Sequence, residues 1–337
     1  MQPAHPCTGT AAGVPYLALP PTSVDVEADG PTRLIVAWHG FEPPRSEAAF
    51  AAAVPMTGVP AWRVYLGLPL FGGRLPAGGA GELRALAQHD YLVDLYGPIV
   101  EQAAAELPEV VAELRVDLGL AEVPIGLVGF SAGGGAALLA LASGKVPVDA
   151  AALIAPIVVP ARALAGLERR SGGTYAWTDE SREVAARLDF NARAAEVVAS
   201  NPALMLLAGG ADDLVPPGEL AGFRDLLLAA GGSAVEALTF RMGHALAAEP
   251  GITAHPPIAE AVSVDGALTG FFLDHYADHF AVRRRRPEDG PTESEETAPW
   301  PEQAPTVPIP SARPVVPTRQ AGSWTSAAPT LSATLSR

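Results

Sequence analysis

Cysteine is almost absent from this chain of 337 residues, in which Cys7 stands alone. A single cysteine excludes an intrachain disulfide, and with it the small disulfide-stapled scaffolds common among secreted domains. The first twenty residues also lack lysine and arginine and contain no continuous apolar run, so they do not resemble a secretory signal peptide. We therefore expect a cytoplasmic protein.

Basic residues are scarce as well. Lys and Arg number 22 against 37 Asp and Glu, which gives a formal net charge of −15. No broad basic surface remains for a phosphate backbone, so this balance argues against a nucleic-acid partner. Charged residues make up only 18% of the chain and hydrophobic residues 49%, while 34 Gly and 34 Pro interrupt long helices. The composition predicts a folded globular protein, neither a disordered chain nor a coiled coil.

One uncharged stretch, residues 125–144, is long enough to cross a bilayer. It contains six glycines, most of them around Ser131, where a strand would turn sharply into a helix. Its two halves also differ in periodicity, as expected of a buried strand followed by a buried helix. We therefore predict no membrane partner.

Composition divides the chain into three segments. Residues 1–31 are predicted to form an N-terminal arm and residues 32–280 the folded domain. Residues 281–337 carry ten prolines, a run of four arginines and Ser/Thr-rich text without periodicity, which predicts a disordered Pro/Arg-rich tail. Acidic residues follow the arginines, and this favours a solvated cluster over an anion-binding site.

Apolar runs alternate with helical patterns along the predicted domain. This rhythm is typical of a parallel α/β sheet whose strands are covered on both faces. Pro108 is expected to kink or break the first of the predicted helices. Residues 156–202 fit no long element and are predicted to form a small helical insertion, or cap. The predicted strands are 33–38, 63–68, 125–130, 151–155, 203–208 and 235–240, and the predicted helices are 97–118, 133–143, 217–230 and 265–279.

The first motif with chemical meaning is G-x-S-x-G, formed by Gly129, Ser131 and Gly133 with Phe130 and Ala132 between them. A predicted strand precedes the motif, and an Ala/Leu-rich sequence typical of a helix follows it. In such a strand-turn-helix elbow the serine adopts a strained conformation, and its flanking positions must lack bulky side chains. In this context the turn is expected to lift the Ser131 hydroxyl above the sheet, where it can act as a nucleophile.

A serine hydroxyl needs a base, and the base needs an acid to orient it. Asp212 follows the predicted strand 203–208 in the pattern G-x-x-D-x-x-V-P, and His244 follows the predicted strand 235–240. Asp213 is the rival of Asp212, but its spacing fits less well, and we expect it to cap the next helix. The chain order Ser131, Asp212, His244 is that of one triad-bearing fold and differs from the chymotrypsin and subtilisin orders.

These three ordered motifs resemble the α/β-hydrolase superfamily over residues 32–280. The resemblance implies a mostly parallel central sheet with helices on both faces and a small insertion after its sixth strand. It makes Ser131 the nucleophile, His244 the base and Asp212 its orienting acid. The segment Trp38-His39-Gly40-Phe41 then supplies an oxyanion-hole N–H from Phe41, with Glu42 as the alternative, and Ala132 supplies the second. His39 is expected to hold this loop.

The expected reaction is hydrolysis of a small-molecule acyl substrate, a carboxylic ester, through an acyl-enzyme. Thioesterases, serine peptidases and acyltransferases use the same triad, so these alternatives stay open. A non-catalytic ligand-binding module is a further alternative, against which all three filled triad positions argue. Trp62, Tyr175 and Trp177 are candidates for the acyl pocket. Residues 71–81 lack the Lys-Ser/Thr pair of a phosphate loop, so we expect an irregular loop, and we predict neither a metal nor another cofactor.

Overall fold

The computed structural model describes residues 5–22 and 31–276. These residues form eight strands and nine α-helices, with a 3-10 turn (Gly72–Arg74) before α2 and a π-helical segment (Tyr91–Tyr96) after it. The strands are β1 (Cys7–Ala11), β2 (Val14–Leu19), β3 (Arg33–Trp38), β4 (Ala61–Leu66), β5 (Ile125–Phe130), β6 (Val148–Ile154), β7 (Ala203–Gly209) and β8 (Val235–Phe240). The helices are α1 (Glu47–Ala53), α2 (Gly79–Asp90), α3 (Gly97–Leu118), α4 (Ala132–Ser143), α5 (Pro160–Ser171), α6 (Asp179–Arg187), α7 (Ala194–Val197), α8 (Pro217–Ala229) and α9 (Ala259–Tyr276).

These eight strands form one sheet in the order β1-β2-β4-β3-β5-β6-β7-β8. Strands β3 to β8 pair in parallel, while β1 with β2 and β2 with β4 pair antiparallel. Parallel neighbours require crossover connections, and the helices that make them cover both faces of the sheet. The predicted mostly parallel sheet is confirmed.

Both faces of the central strands are buried. Strand β3 shows why its sequence is a continuous apolar run: Leu34 and Val36 pack into one cluster, while Ile35 and Ala37 pack into the other. The first cluster contains side chains of α3, α4 and α8, and the second contains side chains of α1 and α9. Alternation along the strand therefore feeds two cores, one on each side of the sheet.

The N-terminal arm predicted over residues 1–31 is wrong for the hairpin β1–β2, because β2 pairs with β4 and the sheet begins at Cys7. The hairpin turn places Ala12 and Gly13 at φ of 47° and 80°. Two positive φ values mark a two-residue turn suited to the twist of a hairpin, but Ala-Gly lacks the usual Asn-Gly signature. The sequence pattern therefore gave no indication of this turn.

Other predicted elements agree closely with the structure, and strands 33–38, 125–130 and 235–240 match at both ends. Helix α3 matches too and runs unbroken through Pro108, so of the two effects expected of this proline, a kink or a break, the break is wrong. Proline removes one hydrogen bond from a helix. Buried residues on both sides of it, such as Leu107 and Val111, pack into the core and hold the helix together.

The predicted small insertion follows the sixth strand and is helical, containing α5, α6 and α7. Its apolar residues Leu164, Val184 and Phe190 belong to the same core cluster as α3 and α4. The cap is therefore packed onto one face of the fold. Residues 71–81, expected as an irregular loop, instead contain the 3-10 turn and the start of α2.

The predicted disordered tail, the domain end at residue 280 and the last residues of the predicted helix 265–279 lie outside the described residues. Helix α9 begins earlier than predicted, at Ala259. Among the helices that the structure describes, none has the length and apolar character needed to cross a membrane. The uncharged stretch 125–144 forms β5 and α4, as predicted.

Candidate active site

Ser131 occupies the sharp turn between β5 and α4, with φ of 54° and ψ of −114°. A positive φ is unusual for a serine and stores strain in the turn. A Cβ atom on Gly129 would lie 2.5 Å from the Gly133 carbonyl oxygen, and one on Gly133 would lie 2.5 Å from the Trp38 carbonyl oxygen. The two glycines of the motif are thus required by backbone packing around Ser131.

A chain of hydrogen bonds joins the three residues singled out in the sequence. The distance from His244 Nε2 to Ser131 Oγ is 2.8 Å, and that from His244 Nδ1 to Asp212 Oδ2 is 2.7 Å. Exposed fractions are only 2% for Ser131 and 5% for both Asp212 and His244. Little water reaches these three side chains, so the electrostatic interactions among them are stronger than on the open surface.

Asp212 uses both carboxylate oxygens. Oδ2 faces His244, and Oδ1 accepts hydrogen bonds from the backbone N–H groups of Leu214 and Val215, at 2.9 Å each. This division fixes the plane of the carboxylate and directs one oxygen at the imidazole.

Asp213 does not take the role that we expected. The first residue before α8 is Pro216, and no side chain caps that helix. Asp213 instead accepts hydrogen bonds from Arg170 at the end of α5. The prediction that Asp213 caps α8 is therefore wrong. Its carboxylate pairs with the guanidinium of Arg170, which belongs to the helical insertion, and not with the N-terminus of α8.

The loops that carry Asp212 and His244 are packed against each other. The N–H groups of Gly210 and Ala211 donate to the carbonyls of Phe240 and Met242, at 2.7 and 2.9 Å. A Cβ atom on Gly209 would lie 2.5 Å from the Gly243 carbonyl oxygen. These contacts set the separation between the acid and the base.

The loop after β3 lies directly against Ser131. A Cβ atom on Gly40 would lie 2.8 Å from the Ser131 Cβ. Phe41 follows Gly40, and Ala132 is the first residue of α4, where an N–H has no partner within its own helix. Neither the Phe41 nor the Ala132 N–H donates to another group in the described part of the chain. Both N–H groups therefore border the serine without an acceptor of their own.

His39 supports this loop from inside. Its Nδ1–H donates to the Gly40 carbonyl at 2.8 Å, and its Nε2 accepts a long hydrogen bond of 3.4 Å from the Leu68 N–H. The ring is fully buried, and burial lowers the pKa of His39 to about 4. His39 is thus neutral near pH 7 and links the loop to the end of β4.

Aromatic rings form a wall beside the loop. Phe41 stacks on Phe71 with centroids 5.0 Å apart and makes edge contacts with Tyr91 and Tyr96 at 6.5 and 6.3 Å. Burial raises the pKa of both tyrosine hydroxyls, so they stay neutral. Sequence reasoning missed this wall, since the π-helical segment that carries the tyrosines has no recognisable pattern.

Trp62 does not line this site, and that prediction is wrong. It pairs with Leu34 near the start of β3 and is fully buried in the core, whereas Ser131 follows the other end of β5. Trp62 and Ser131 therefore lie at opposite ends of the strands, separated along the strand direction by about six residues at about 3.3 Å each. An isolated tryptophan in the sequence gives no indication of the end of the sheet to which it belongs.

Tyr175 and Trp177 lie on the cap between α5 and α6, with ring centroids 5.1 Å apart. The Tyr175 hydroxyl donates to Asp90, which also caps the π-helical segment through the N–H groups of Leu92 and Val93. Burial and this hydrogen bond raise the pKa of Tyr175 to about 12. The pair therefore secures the cap against the segment that holds the aromatic wall, and its role in an acyl pocket stays a prediction.

Arg45 ties the loop after β3 to the loop after His244. Its Nε donates to the Phe41 carbonyl at 2.7 Å, and its Nη1 contacts Glu249 at 2.5 Å and the Pro250 carbonyl at 2.8 Å. The backbone adds a hydrogen bond of 2.9 Å from the Leu246 N–H to the Pro43 carbonyl. Side-chain and backbone hydrogen bonds therefore join the two loops.

The fold and the arrangement around Ser131 define a class: this chain has the α/β-hydrolase fold, with an eight-stranded sheet and a serine elbow after its fifth strand. No group of three or more His, Cys, Asp and Glu side chains in the described residues is placed to hold a metal ion. The hydroxyl of Ser131, the imidazole of His244 and the carboxylate of Asp212 form one hydrogen-bonded series in this fold.

Solved structures agree with this fold. TT1662 from Thermus thermophilus superposes with a TM-score of 0.54 at 20% identity, over 83% of this chain and 99% of that chain. A puromycin-hydrolysing peptidase of Mycobacterium tuberculosis gives 0.54 at 20% identity, over 81% of this chain and 39% of that chain. Acylaminoacyl peptidase of Pyrococcus horikoshii gives 0.51 at 15% identity, over 80% and 41%. This chain thus spans about two fifths of either peptidase.

No family model matches the sequence, and no curated protein matches it either. At these identities the structural likeness establishes the fold and leaves the reaction to be argued from the site.

Proposed function

We propose that this chain is a serine hydrolase that cleaves a carboxylic ester through an acyl-enzyme. The observation that carries the proposal is the unbroken hydrogen-bond chain from Ser131 through His244 to Asp212 at the carboxyl edge of the sheet. Ser131 is the nucleophile in this proposal, His244 the general base and Asp212 the acid that orients it.

The proposed reaction begins with transfer of the Ser131 proton to His244 Nε2 as Oγ attacks the substrate carbonyl carbon. The resulting oxyanion accepts hydrogen bonds from the Phe41 and Ala132 N–H groups, each worth about 3–4 kcal/mol to the transition state. His244 then gives its proton to the leaving alkoxide as the ester bond breaks. Water repeats the sequence on the acyl-enzyme and releases the acid and free Ser131.

Asp212 supports both proton transfers by fixing the imidazole. Its hydrogen bond to Nδ1 selects the tautomer in which Nε2 accepts from Ser131, and its negative charge stabilises the imidazolium that forms. The two backbone N–H donors on Oδ1 keep the carboxylate from rotating away.

Amide hydrolysis is the second candidate. Two proteins of similar fold are peptidases, and the proposed triad would attack an amide in the same way. Thioester hydrolysis and acyl transfer need no different residues either, since they change only the leaving group or the acceptor. The aromatic wall of Phe41, Phe71 and Tyr91 supports an apolar acyl group in each case. A purely ligand-binding role gives no reason for the hydrogen bonds that activate Ser131.

The test is labelling of the purified protein with a fluorophosphonate probe, followed by peptide mapping. We expect modification of Ser131 in the native protein and none in Ser131→Ala. The matched control is Ser143→Ala, since Ser143 lies at the other end of α4, where its hydroxyl donates to the Ala140 carbonyl and accepts from the Lys145 N–H. If Ser131 stays unlabelled in well-folded native protein, the proposed function is wrong.

Turnover gives the first quantitative prediction. Ser131→Ala should lower kcat by about 10⁴-fold or more, because no acyl-enzyme can form. Matched esters, thioesters and amides of one acyl group, assayed with the native protein, rank the leaving groups. An ester rate no higher than the amide rate would favour the peptidase alternative.

A further inference from the structure

The loop after β3 carries two consecutive N–H groups, those of Phe41 and Glu42, that donate to no other group in the described part of the chain. Gly40, directly before them, lies against the nucleophile, since a Cβ atom on Gly40 would lie 2.8 Å from the Ser131 Cβ. An oxyanion hole needs N–H groups whose directions are fixed before the reaction begins. The direction of each N–H is set by the peptide plane to which it belongs.

Both of these peptide planes are held through their carbonyl oxygens. Each peptide is trans, so its N–H points away from its own carbonyl, and a donor that binds the carbonyl also sets the direction of the N–H. His39 Nδ1–H donates to the Gly40 carbonyl at 2.8 Å and holds the plane that carries the Phe41 N–H. Arg45 Nε–H donates to the Phe41 carbonyl at 2.7 Å and holds the plane that carries the Glu42 N–H. The two side chains thus fix the backbone on both sides of Phe41.

The guanidinium of Arg45 has a single orientation. It makes five hydrogen bonds, as many as a guanidinium has N–H groups. Besides the Phe41 carbonyl, the acceptors are both carboxylate oxygens of Glu249, the Pro250 carbonyl and, at 3.4 Å, Glu42 Oε2. Because the group is planar and every donor is used, rotation of the guanidinium would break several of these bonds at once.

The backbone from which this side chain extends is also fixed. The Arg45 N–H donates to the Gly251 carbonyl at 2.6 Å, and the Ser46 hydroxyl donates to the Ile252 carbonyl at 2.6 Å. The Ser46 side chain also caps the N-terminus of α1. Arg45 therefore reaches the Phe41 carbonyl from the fixed start of a helix, and the loop after the proposed base supplies most of its acceptors.

We propose that Arg45 is a positioning residue for the oxyanion hole: by holding the Phe41 carbonyl, it fixes the N–H groups that stabilise the transition state. This inference rests on the proposed function of Ser131 and on an oxyanion hole formed by this loop. Arg45 acts through the peptide of Phe41 and touches no reacting atom. It also ties the position of that peptide to the loop that follows His244.

The first experiment measures kcat and KM of the native protein, Arg45→Ala and Arg45→Lys on one ester, with active sites counted by fluorophosphonate titration. Arg45→Ala should lower kcat by about 10²-fold and change KM by less than about threefold, because the oxyanion exists only after attack on the carbonyl. Arg45→Lys should recover little, because an ammonium cannot bind the Phe41 carbonyl and Glu249 in the same planar arrangement.

The matched control is Ser46→Ala. This variant removes a hydrogen bond between the same two loops and the side-chain cap of α1, but leaves both peptide planes beside Phe41 held. Its kcat should stay within about twofold of native, although its stability falls. Equal losses of kcat in Arg45→Ala and Ser46→Ala would show that Arg45 only holds the loops together, and that result overturns the inference. A loss confined to KM overturns it as well.

A trifluoromethyl ketone with the same acyl group tests the oxyanion hole without turnover. In the proposed adduct, Ser131 Oγ adds to the ketone carbon, the Ser131 proton passes to His244 and the carbonyl oxygen becomes the oxyanion. The inhibition constant should rise by about 10²-fold in Arg45→Ala, in parallel with the fall in kcat/KM, and by less than about twofold in Ser46→Ala. An inhibition constant unchanged in Arg45→Ala would overturn the inference.

The extent of fluorophosphonate labelling judges the proposed function separately. Arg45→Ala should be labelled at Ser131 completely but more slowly than the native protein, because the nucleophile and His244 are unchanged. Absence of labelling in the native protein rejects the hydrolase and the role of Arg45 with it. A labelled, active native protein whose Arg45→Ala variant keeps native kcat and native inhibition rejects the role of Arg45 alone.

Discussion

His39 shows how strongly a single side chain is changed by its surroundings. It has no access to water, and burial lowers its pKa from 6.5 to about 4, while the hydrogen bond to Gly40 opposes that change with a smaller effect. A histidine close to the proposed nucleophile could be taken for a base. Its depressed pKa and its two backbone partners instead give it the role of a neutral support for the loop that ends in Phe41.

Acid sensitivity should follow from this residue. The unfolded chain binds a proton at His39 near pH 6.5 and the folded chain only near pH 4, so the stability contributed by the neutral buried ring is complete above pH 6.5 and is lost as pH falls towards 4. Over that range we expect the free energy of unfolding to fall by about 3 kcal/mol from His39 alone.

Urea denaturation of the native protein and of His39→Gln, at neutral pH and near the lower end of that range, measures this contribution. The variant should be less stable at neutral pH and should lose less stability on acidification. Parallel losses in the two proteins would show that other groups cause the acid sensitivity.

At the scale of elements, the site depends on how closely α4 and β3 approach. Gly133, near the start of α4, has no side chain at the point where the carbonyls of Trp38 and His39 lie against the helix. That closeness holds Gly40, the residue before Phe41, against Ser131. Packing of two backbones therefore holds the loop that carries Phe41 against the turn that carries Ser131.

Substitution of one glycine tests this packing. Gly133→Ala should lower the free energy of unfolding by more than about 3 kcal/mol, because its Cβ would lie 2.5 Å from a backbone carbonyl that cannot move independently. The control is Gly222→Ala in α8, where nothing lies within 4 Å, and it should be neutral or stabilise by up to about 1 kcal/mol. Thermal and urea unfolding measures the stability of both variants. Equal free energies of unfolding for Gly133→Ala and Gly222→Ala would refute the packing argument.

At the scale of the whole molecule, one buried arginine joins segments far apart in sequence. Arg63, on β4, is 2% exposed and donates to the carbonyls of Met56, at 2.6 Å, and of Pro20. Asp265 of α9 lies nearby and accepts from the Met56 N–H at 2.6 Å. The exit of the hairpin, the turn before β4 and the last described helix thus meet at one side chain.

Removal of its donors should be costly. Arg63→Met keeps most of the aliphatic stem but removes the charged donors to both carbonyls, of which that of Met56 retains only a longer hydrogen bond of 3.3 Å from the Val59 N–H. We therefore expect a loss of about 3 kcal/mol in the free energy of unfolding. Arg224→Met, which breaks only a surface contact with Asp225, should change it by less than about 0.5 kcal/mol. Fluorophosphonate labelling of folded Arg63→Met should be unaffected, because Arg63 lies toward the amino ends of the strands.

Much of the molecule was readable from local pattern. Nearly continuous apolar runs identified the parallel strands from β3 to β7, which are buried on both faces, whereas the edge strand β8 alternates half-buried and exposed residues. The order Ser131, Asp212, His244 was readable too, because each residue follows a strand end. In a parallel sheet those ends meet at one edge, so their proximity follows from the fold class.

Tertiary structure alone decided the features that depend on partners distant in sequence. The hairpin β1–β2 belongs to the sheet, Trp62 lies near the amino ends of the strands, and Asp213 pairs with Arg170. None of these three features was indicated by the sequence pattern. Periodicity reports how a segment is buried, but not which segment buries it. The partner of a charged or aromatic side chain is set by register and by the approach of whole elements, and these exist only once the chain has folded.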